Sequence, residues 1–190
     1  QQELGSPALF LADYLGVHGP AYTLSTACSS SARAFISAQR LLAADMADVV
    51  LVGGADTLCG LTLNGFYSLE SLATATCTPF ARDRDGINIG EAAALCLLTR
   101  EPGPVALLGA GESSDAYHVS APHPEGIGAE AAMRMALEQG GLQPGQVGYI
   151  NLHGTGTRLN DSMEAKAVHR LFGDKVPCSS TKALTGHTLG

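Results

Sequence analysis

The 190-residue chain carries a formal net charge of −7, and with no basic stripe anywhere it does not read as a nucleic-acid binder. Hydrophobic residues make up 45% and charged residues only 15%, against about 25% in an average globular domain, so the chain is expected to form one well-buried domain or two small lobes. Apolar runs such as 92–98 are too short for membrane insertion, no secretory signal is visible, and five cysteines without a CxxC-type pair argue against a zinc site or disulfide framework and for a reduced cytoplasm.

Residues 6–15 read as a short helix, with Ser6 as N-cap and Pro7 at the first helical position. A turn over 16–20 leads to a strand at 21–26, then to a helix at 29–44 whose lack of a polar face predicts burial. The β-branched run 49–52, closed by Gly53-Gly54, predicts a strand buried on both faces. Residues 57–82 are mixed and loop-like. Residues 87–98 read as a strand, although their alanines would also allow a helix. Pro102-Gly-Pro104 marks an internal boundary. A second cycle follows, with strand 105–110, helix 129–139, strand 147–152, helix 161–172 and strand 176–180. Strands alternating with helices predict an α/β class with a largely parallel sheet.

Cys28 lies where strand 21–26 hands over to the next helix. The partial positive charge of a helix N-terminus favours the thiolate, small neighbours leave room for a substrate carbonyl, and the Cys28 N–H is an oxyanion donor. From position alone a core cysteine is the stronger explanation; two histidine turns downstream shift the weight. His153 ends strand 147–152 and opens His153-Gly-Thr-Gly-Thr157, at the strand edge where α/β proteins bind ligands. A backbone-bonded turn histidine is the alternative. A phosphate cradle is weaker, because no Gly-x4-Gly-Lys pattern is present. His187 closes Thr181-Lys-Ala-Leu-Thr-Gly-His187, with Lys182 reaching inward as a fixed positive charge. Glu164 is preferred as a cap, since Asp161-Ser-Met-Glu164 fits a capping box at the start of helix 161–172. His118 and His123 read as surface-loop residues rather than a metal pair. One nucleophile and two proton or oxyanion partners at element ends point to cysteine acyl transfer.

Thr26-Ala-Cys-Ser-Ser30, Val52-Gly-Gly-Ala-Asp56, Pro79-Phe-Ala-Arg-Asp-Arg-Asp-Gly86 with Gly90-Glu91, His153-Gly-Thr-Gly-Thr157, Asn160-Asp161 and Thr181-Lys-Ala-Leu-Thr-Gly-His187 occur in that order. By these motifs, over essentially its whole length, the chain resembles the β-ketoacyl-acyl-carrier-protein synthases of the elongating Cys-His-His type, within the thiolase-like superfamily. The resemblance implies a layered αβαβα fold, here incomplete. Residues 1–102 would be the end of the N-terminal half and 103–190 the start of the C-terminal half, so the chain reads as an internal fragment.

The resemblance further implies an acyl thioester on Cys28 and decarboxylative Claisen condensation with malonyl-ACP, without metal or organic cofactor. His153 and His187 would hydrogen-bond the malonyl thioester oxygen. Lys182 would hold that pair, Glu164 would tether Lys182 while also capping its helix, and Thr155 and Thr157 would bond the phosphopantetheine arm. The implied partners are an acyl carrier protein and a second subunit, as homodimer or ketosynthase heterodimer. Arg82 and Arg84 are candidate carrier-docking residues, with pairing to Asp83 and Asp85 as the alternative. Gly156 and Arg158 stand where Ser and Pro are common, and Ile87 and Ala92 where Phe and Gly are frequent. The competing function is a non-catalytic subunit of the chain-length-determining type; such partners lack the nucleophile.

Overall fold

Pro7 sits in the first turn of α1 (Ser6–Leu15) in a computed structural model that describes residues 3–190. Ser6 is not the N-cap: Gly5 holds that position and no side chain caps the helix. The other end closes on Gly16, at φ +65°, where the Val17 N–H donates to Ala12 O at 2.8 Å. The expected strand 21–26 does not form; an isolated bridge between Thr26 and Cys28 is all the pairing found there. α2 (Ser30–Ala43) buries Ile36, Ala38 and Leu42 and leaves Ala32, Arg33 and Arg40 exposed, so it is one-sided rather than buried all round.

The chain divides into two units. The first runs through Asp56 and adds Ala92–Ala106 and Leu189–Gly190. Its sheet is β1 (Val49–Asp56) against β2 (Ala92–Thr99), antiparallel, from Val49 opposite Thr99 to Asp56 opposite Ala92. Gly53 and Gly54 lie inside β1 rather than closing it. A Cβ on Gly53 would meet Ala94 O at 2.0 Å, and one on Gly54 would meet Ser31 Oγ at 2.6 Å, so the two glycines let β2 and α2 approach. Val52 is the buried residue of β1, while β2 is exposed or half-exposed throughout, so burial on both faces is not found. Arg100, just past β2, donates to Leu42 O at 2.7 Å, a cation at the C-terminal end of α2, and also to Ala47 O at 3.1 Å, and pairs with Asp48 at 2.8 Å.

The second unit comprises Thr57–Glu91 and Leu107–Thr188. Within the stretch expected to be loop-like, Gly60–Ser68 forms α3. Residues 71–73 then pair with Ile87, whose N–H donates to Ser71 O and whose carbonyl accepts from the Ala73 N–H, both at 2.8 Å. Residues 105–110 form no strand. Gly109 and Gly111 instead press against α4 (Ile127–Gly140), where a Cβ on Gly111 would meet Ala132 O at 2.0 Å. α4 packs on α5 (Arg158–Phe172), the two joined by Glu130, which accepts from Arg134 at 2.6 Å and from Arg170 at 2.7 Å. β3 (Ile150–Asn151) and β4 (Cys178–Ser179) form the one parallel ladder among the described residues, shorter than the expected strands 147–152 and 176–180. α6 (Lys182–Thr185) follows. Cys77, Ile87, Leu152, Ala167, Val168 and Leu171 are the buried apolar residues of this unit. No helix among the described residues is long and apolar enough to cross a membrane.

Candidate active site

The buried polar side chains among the described residues are Thr155, Asp161, Glu164 and His187, all in the second unit and all around the turn that follows β3. Burial of such groups requires compensation, and the turn supplies it. Glu164, in the second turn of α5, accepts the N–H of His153 at 2.6 Å and of Gly154 at 2.8 Å. Asp161 accepts the N–H of Gly156 at 3.2 Å and of Phe80 at 2.7 Å, and pairs with Arg84 at 3.4 Å. The helix therefore begins at Arg158, with Thr157 as N-cap, and the expected capping box starting at Asp161 does not exist. Both carboxylates fold back instead onto the glycine turn before the helix. Arg158, where proline is common in the resembling family, is the first residue of α5, a position suited to either.

Close approach fixes the turn. A Cβ on Gly154 would meet the Ser180 Cβ at 2.5 Å and the Phe80 ring at 2.9 Å. Ser180 Oγ donates to Gly154 O at 2.8 Å, and the Lys182 ammonium donates to His153 O at 2.5 Å. Lys182 and Glu164 thus meet through the backbone of His153, one on its carbonyl and the other on its N–H. His187 is held by a separate segment. Its N–H donates to Asn88 O at 2.7 Å and its carbonyl accepts from Gly90 N–H at 2.9 Å. Here it is the backbones that touch, since a Cβ on Gly90 would meet Thr185 O at 2.2 Å.

The two imidazoles meet edge to face, with centroids 5.2 Å apart and planes at 84°. Burial, then the nearby Lys182 charge, push the His153 pKa down to about 4; the same two causes and the His153 ring bring His187 to about 4. At neutral pH each ring is uncharged and offers one N–H and one bare nitrogen. Burial pushes the Glu164 carboxyl up, against the two backbone donors that pull it down.

Acid stability follows from these shifts. Between pH 6.5 and about 4 the unfolded chain takes up protons that the folded histidines refuse, so stability falls with pH across that window, by about 1 kcal/mol per histidine per pH unit. Glu164 works in the opposite direction, because its raised pKa favours the folded state as it protonates. Urea midpoints measured from pH 7 to pH 4 should drop, and His153→Asn or His187→Asn should flatten the slope. A slope unchanged in both variants would contradict the assignment.

A family model described as Beta-ketoacyl synthase, N-terminal domain, matches residues 7–102, and one described as Beta-ketoacyl synthase, C-terminal domain, matches 105–190. The chain belongs to the β-ketoacyl synthase family. Nodulation protein E of Rhizobium meliloti is 38% identical over 188 residues, covering 93% of this chain and 46% of that protein. The 3-oxoacyl-[acyl-carrier-protein] synthase 2 of Staphylococcus aureus is 34% identical over 193 residues, covering 93% of this chain and 48% of that protein. Among solved structures, a chain of the complex of the ketosynthase ApeO with its chain length factor ApeC, from Xenorhabdus doucetiae, matches with a TM-score of 0.98 at 64% identity, over 100% of this chain and 48% of that chain. The ketosynthase chain thus spans about half the length of the relatives it matches and carries part of a thiolase-like α/β fold.

Within this β-ketoacyl synthase chain the second unit brings together His153, His187, Lys182, Glu164, Thr155 and Thr157; the two threonine hydroxyls lie 2.9 Å apart. Cys28, in the first unit, is exposed and follows Ala27, a non-glycine residue at φ +54°. That left-handed residue costs on the order of 1 kcal/mol or more. It is held by Ser30 Oγ, which donates to Ala27 O at 2.7 Å, and by Ser29 Oγ, which donates to Thr26 O at 2.8 Å. The strand-to-helix handover expected at Cys28 is therefore a strained elbow.

Arg82 is exposed, whereas Arg84 turns inward to Asp161, Ala81 O and Ser162, so the docking role expected of Arg84 gives way to a structural one. Asp85, the aspartate that follows it, accepts instead from Thr74. Sequence reasoning assigned no site role to Asn88, Asp161 or Phe80. Of these Asp161 and Phe80 left a signal, since each lies in a family motif, whereas Asn88 left none.

Proposed function

We propose that the protein to which this chain belongs is an elongating β-ketoacyl-acyl-carrier-protein synthase. Cys28 carries the growing acyl group as a thioester. Malonyl-ACP binds with its thioester oxygen toward His153 and His187, and loss of carbon dioxide leaves an enolate. The enolate carbon forms a bond to the acyl carbonyl carbon as the bond to sulfur breaks, giving β-ketoacyl-ACP and the Cys28 thiolate. Thr155 and Thr157 bond the phosphopantetheine arm. The observation that carries this reading is the pair of neutral imidazoles beside Lys182, His187 buried and His153 half-buried. Uncharged N–H donors preset in a dry site stabilise an oxyanion as it develops.

The carrier is an acyl carrier protein, a partner that the name of the Staphylococcus relative supports, and the second subunit is a copy of the chain or a chain length factor. The competing reading, a non-catalytic subunit, draws support from the chain length factor in the Xenorhabdus complex. Cys28 and the imidazole pair favour the enzyme.

Mass spectrometry after incubation with acyl-ACP separates the two. The acyl mass should appear on the Cys28 peptide and vanish in Cys28→Ala, while acylation spread over Cys59 and Cys96 would sink the enzyme reading. Docking is tested at Arg82. Such surface pairs contribute about 0–1 kcal/mol and are screened by salt. Arg82→Glu should raise the KM for acyl-ACP at low salt and leave an acyl-CoA surrogate unaffected; an equal effect on both substrates would remove Arg82 from the docking surface.

A further inference from the structure

Two residues with no assigned role close a hydrogen-bonded ring beneath the histidine–lysine segment. The backbone carbonyl of Asn88 accepts the N–H of His187 at 2.7 Å. Its side chain turns to a different segment, where Oδ1 accepts the N–H of Cys77 at 2.7 Å and Nδ2 donates to Ala75 O at 2.9 Å. The Cys77 thiol donates in turn to the backbone carbonyl of Lys182 at 3.2 Å. From Lys182 the chain returns through α6 to His187. Cys77 is 1% exposed, so its thiol is shielded from water, while Asn88 is half-buried.

α6 spans only Lys182–Thr185, far below the length at which a helix sustains itself, and Gly186 at φ +68° follows it. The segment that carries both the ammonium and one imidazole therefore takes its placement from outside contacts. Cys77 grips its first residue, Asn88 grips its last, and the Asn88 amide ties the two grips together.

We propose that Asn88, acting through Cys77, is a positioning residue of the condensing site, setting where Lys182 meets His153 and where the His187 ring meets the His153 ring. The inference rests on the ketosynthase reading for its catalytic consequence, but not for its geometry. Each bond by itself contributes little to stability, yet displacement of a reacting group by about 1 Å can cost 100-fold in rate. The effect should therefore fall on turnover more than on stability.

The test uses the full protein with its partner subunit, comparing Asn88→Ala and the similarly sized Asn88→Leu, and Cys77→Ala with Cys77→Ser, which keeps a donor. Both Asn88 variants should lower kcat for malonyl-ACP decarboxylation at least ~10-fold, with KM and the rate of Cys28 acylation within about 2-fold. Cys77→Ala should lose activity and Cys77→Ser should recover most of it. In parallel, the imidazole resonances of His187 should shift in the Asn88 variants and its titration should move up from about 4, as the loosened ring admits water. If Asn88→Ala does not fold, Asn88→Leu and the Cys77 pair carry the same comparison. Unchanged His187 resonances together with decarboxylation within 2-fold of wild type would overturn the proposal, as would equal losses in Cys77→Ser and Cys77→Ala. A wild-type protein that does not decarboxylate malonyl-ACP would refute the ketosynthase reading instead, and the resonances would still report on the brace.

Discussion

Malonyl-ACP decarboxylation is expected to fall about 10²–10³-fold when either His153 or His187 is replaced by alanine, while Cys28 still takes up an acyl group. Both rings are neutral, so neither would act by its charge; on the proposed function each contributes an N–H to an oxygen that becomes negative only as carbon dioxide leaves. A donor used mainly at that moment lowers the barrier without tightening substrate binding, so kcat should drop and KM should change little. Removing both rings should cost less than the product of the single losses, because the two donors serve one oxygen. Glutamine at either position keeps an uncharged N–H and should recover part of the rate. Loss of acyl transfer with decarboxylation intact would reverse the assignment of the pair.

Asp161→Ala is expected to be the most damaging substitution away from the reacting groups, destabilising by about 3–5 kcal/mol. The carboxylate is 1% exposed and Arg84 only 16%, so truncation strands a guanidinium with little access to water. It also orphans the N–H groups of Phe80 and Gly156, two donors of the tight segments that frame the site. Asp161→Asn should cost less, about 1–3 kcal/mol, since one oxygen remains to accept while the amide confronts a donor. Hydrogen exchange at the amides of residues 80 and 156 should accelerate in both variants, more in the alanine. Exchange unchanged at both, with a loss below about 1 kcal/mol, would show that water replaces the carboxylate without penalty.

Much of this arrangement is legible in the residues, and the unread parts have identifiable causes. α1 and α4 match expectation to within two residues because a helix closes its hydrogen bonds on itself. Residues 21–26 and 105–110 carry strand-like composition, but a strand's bonds lie on another segment and no ladder partner exists for them among the described residues. α3 escaped notice because it opens at Gly60, holds Gly65 within it and has Cys59 rather than a serine or aspartate at its N-cap. The Asp161–Glu164 spacing fitted a capping box, yet both groups serve the loop in front of the helix, a relation that sequence distance alone does not encode. The histidine turns were readable because glycine clusters mark close backbone approach. Asn88 was not, since its function depends on which segments lie on either side of it.

The glycines of the site differ in how freely they can drift over generations. At position 90 the obstacle to a side chain is the carbonyl of Thr185, which every amino acid possesses, so no second substitution makes room. At position 154 the obstacles are the side chains of Ser180 and Phe80, and both can shrink. A larger residue at 154 is therefore closed to a lineage that changes one codon at a time, but it opens to one in which residues 180 and 80 have already become smaller. The remaining penalty is the left-handed backbone, φ +42°, at about 1–2 kcal/mol. Variation at 154 should be contingent on genetic background, whereas position 90 should stay glycine for a reason that no background alters.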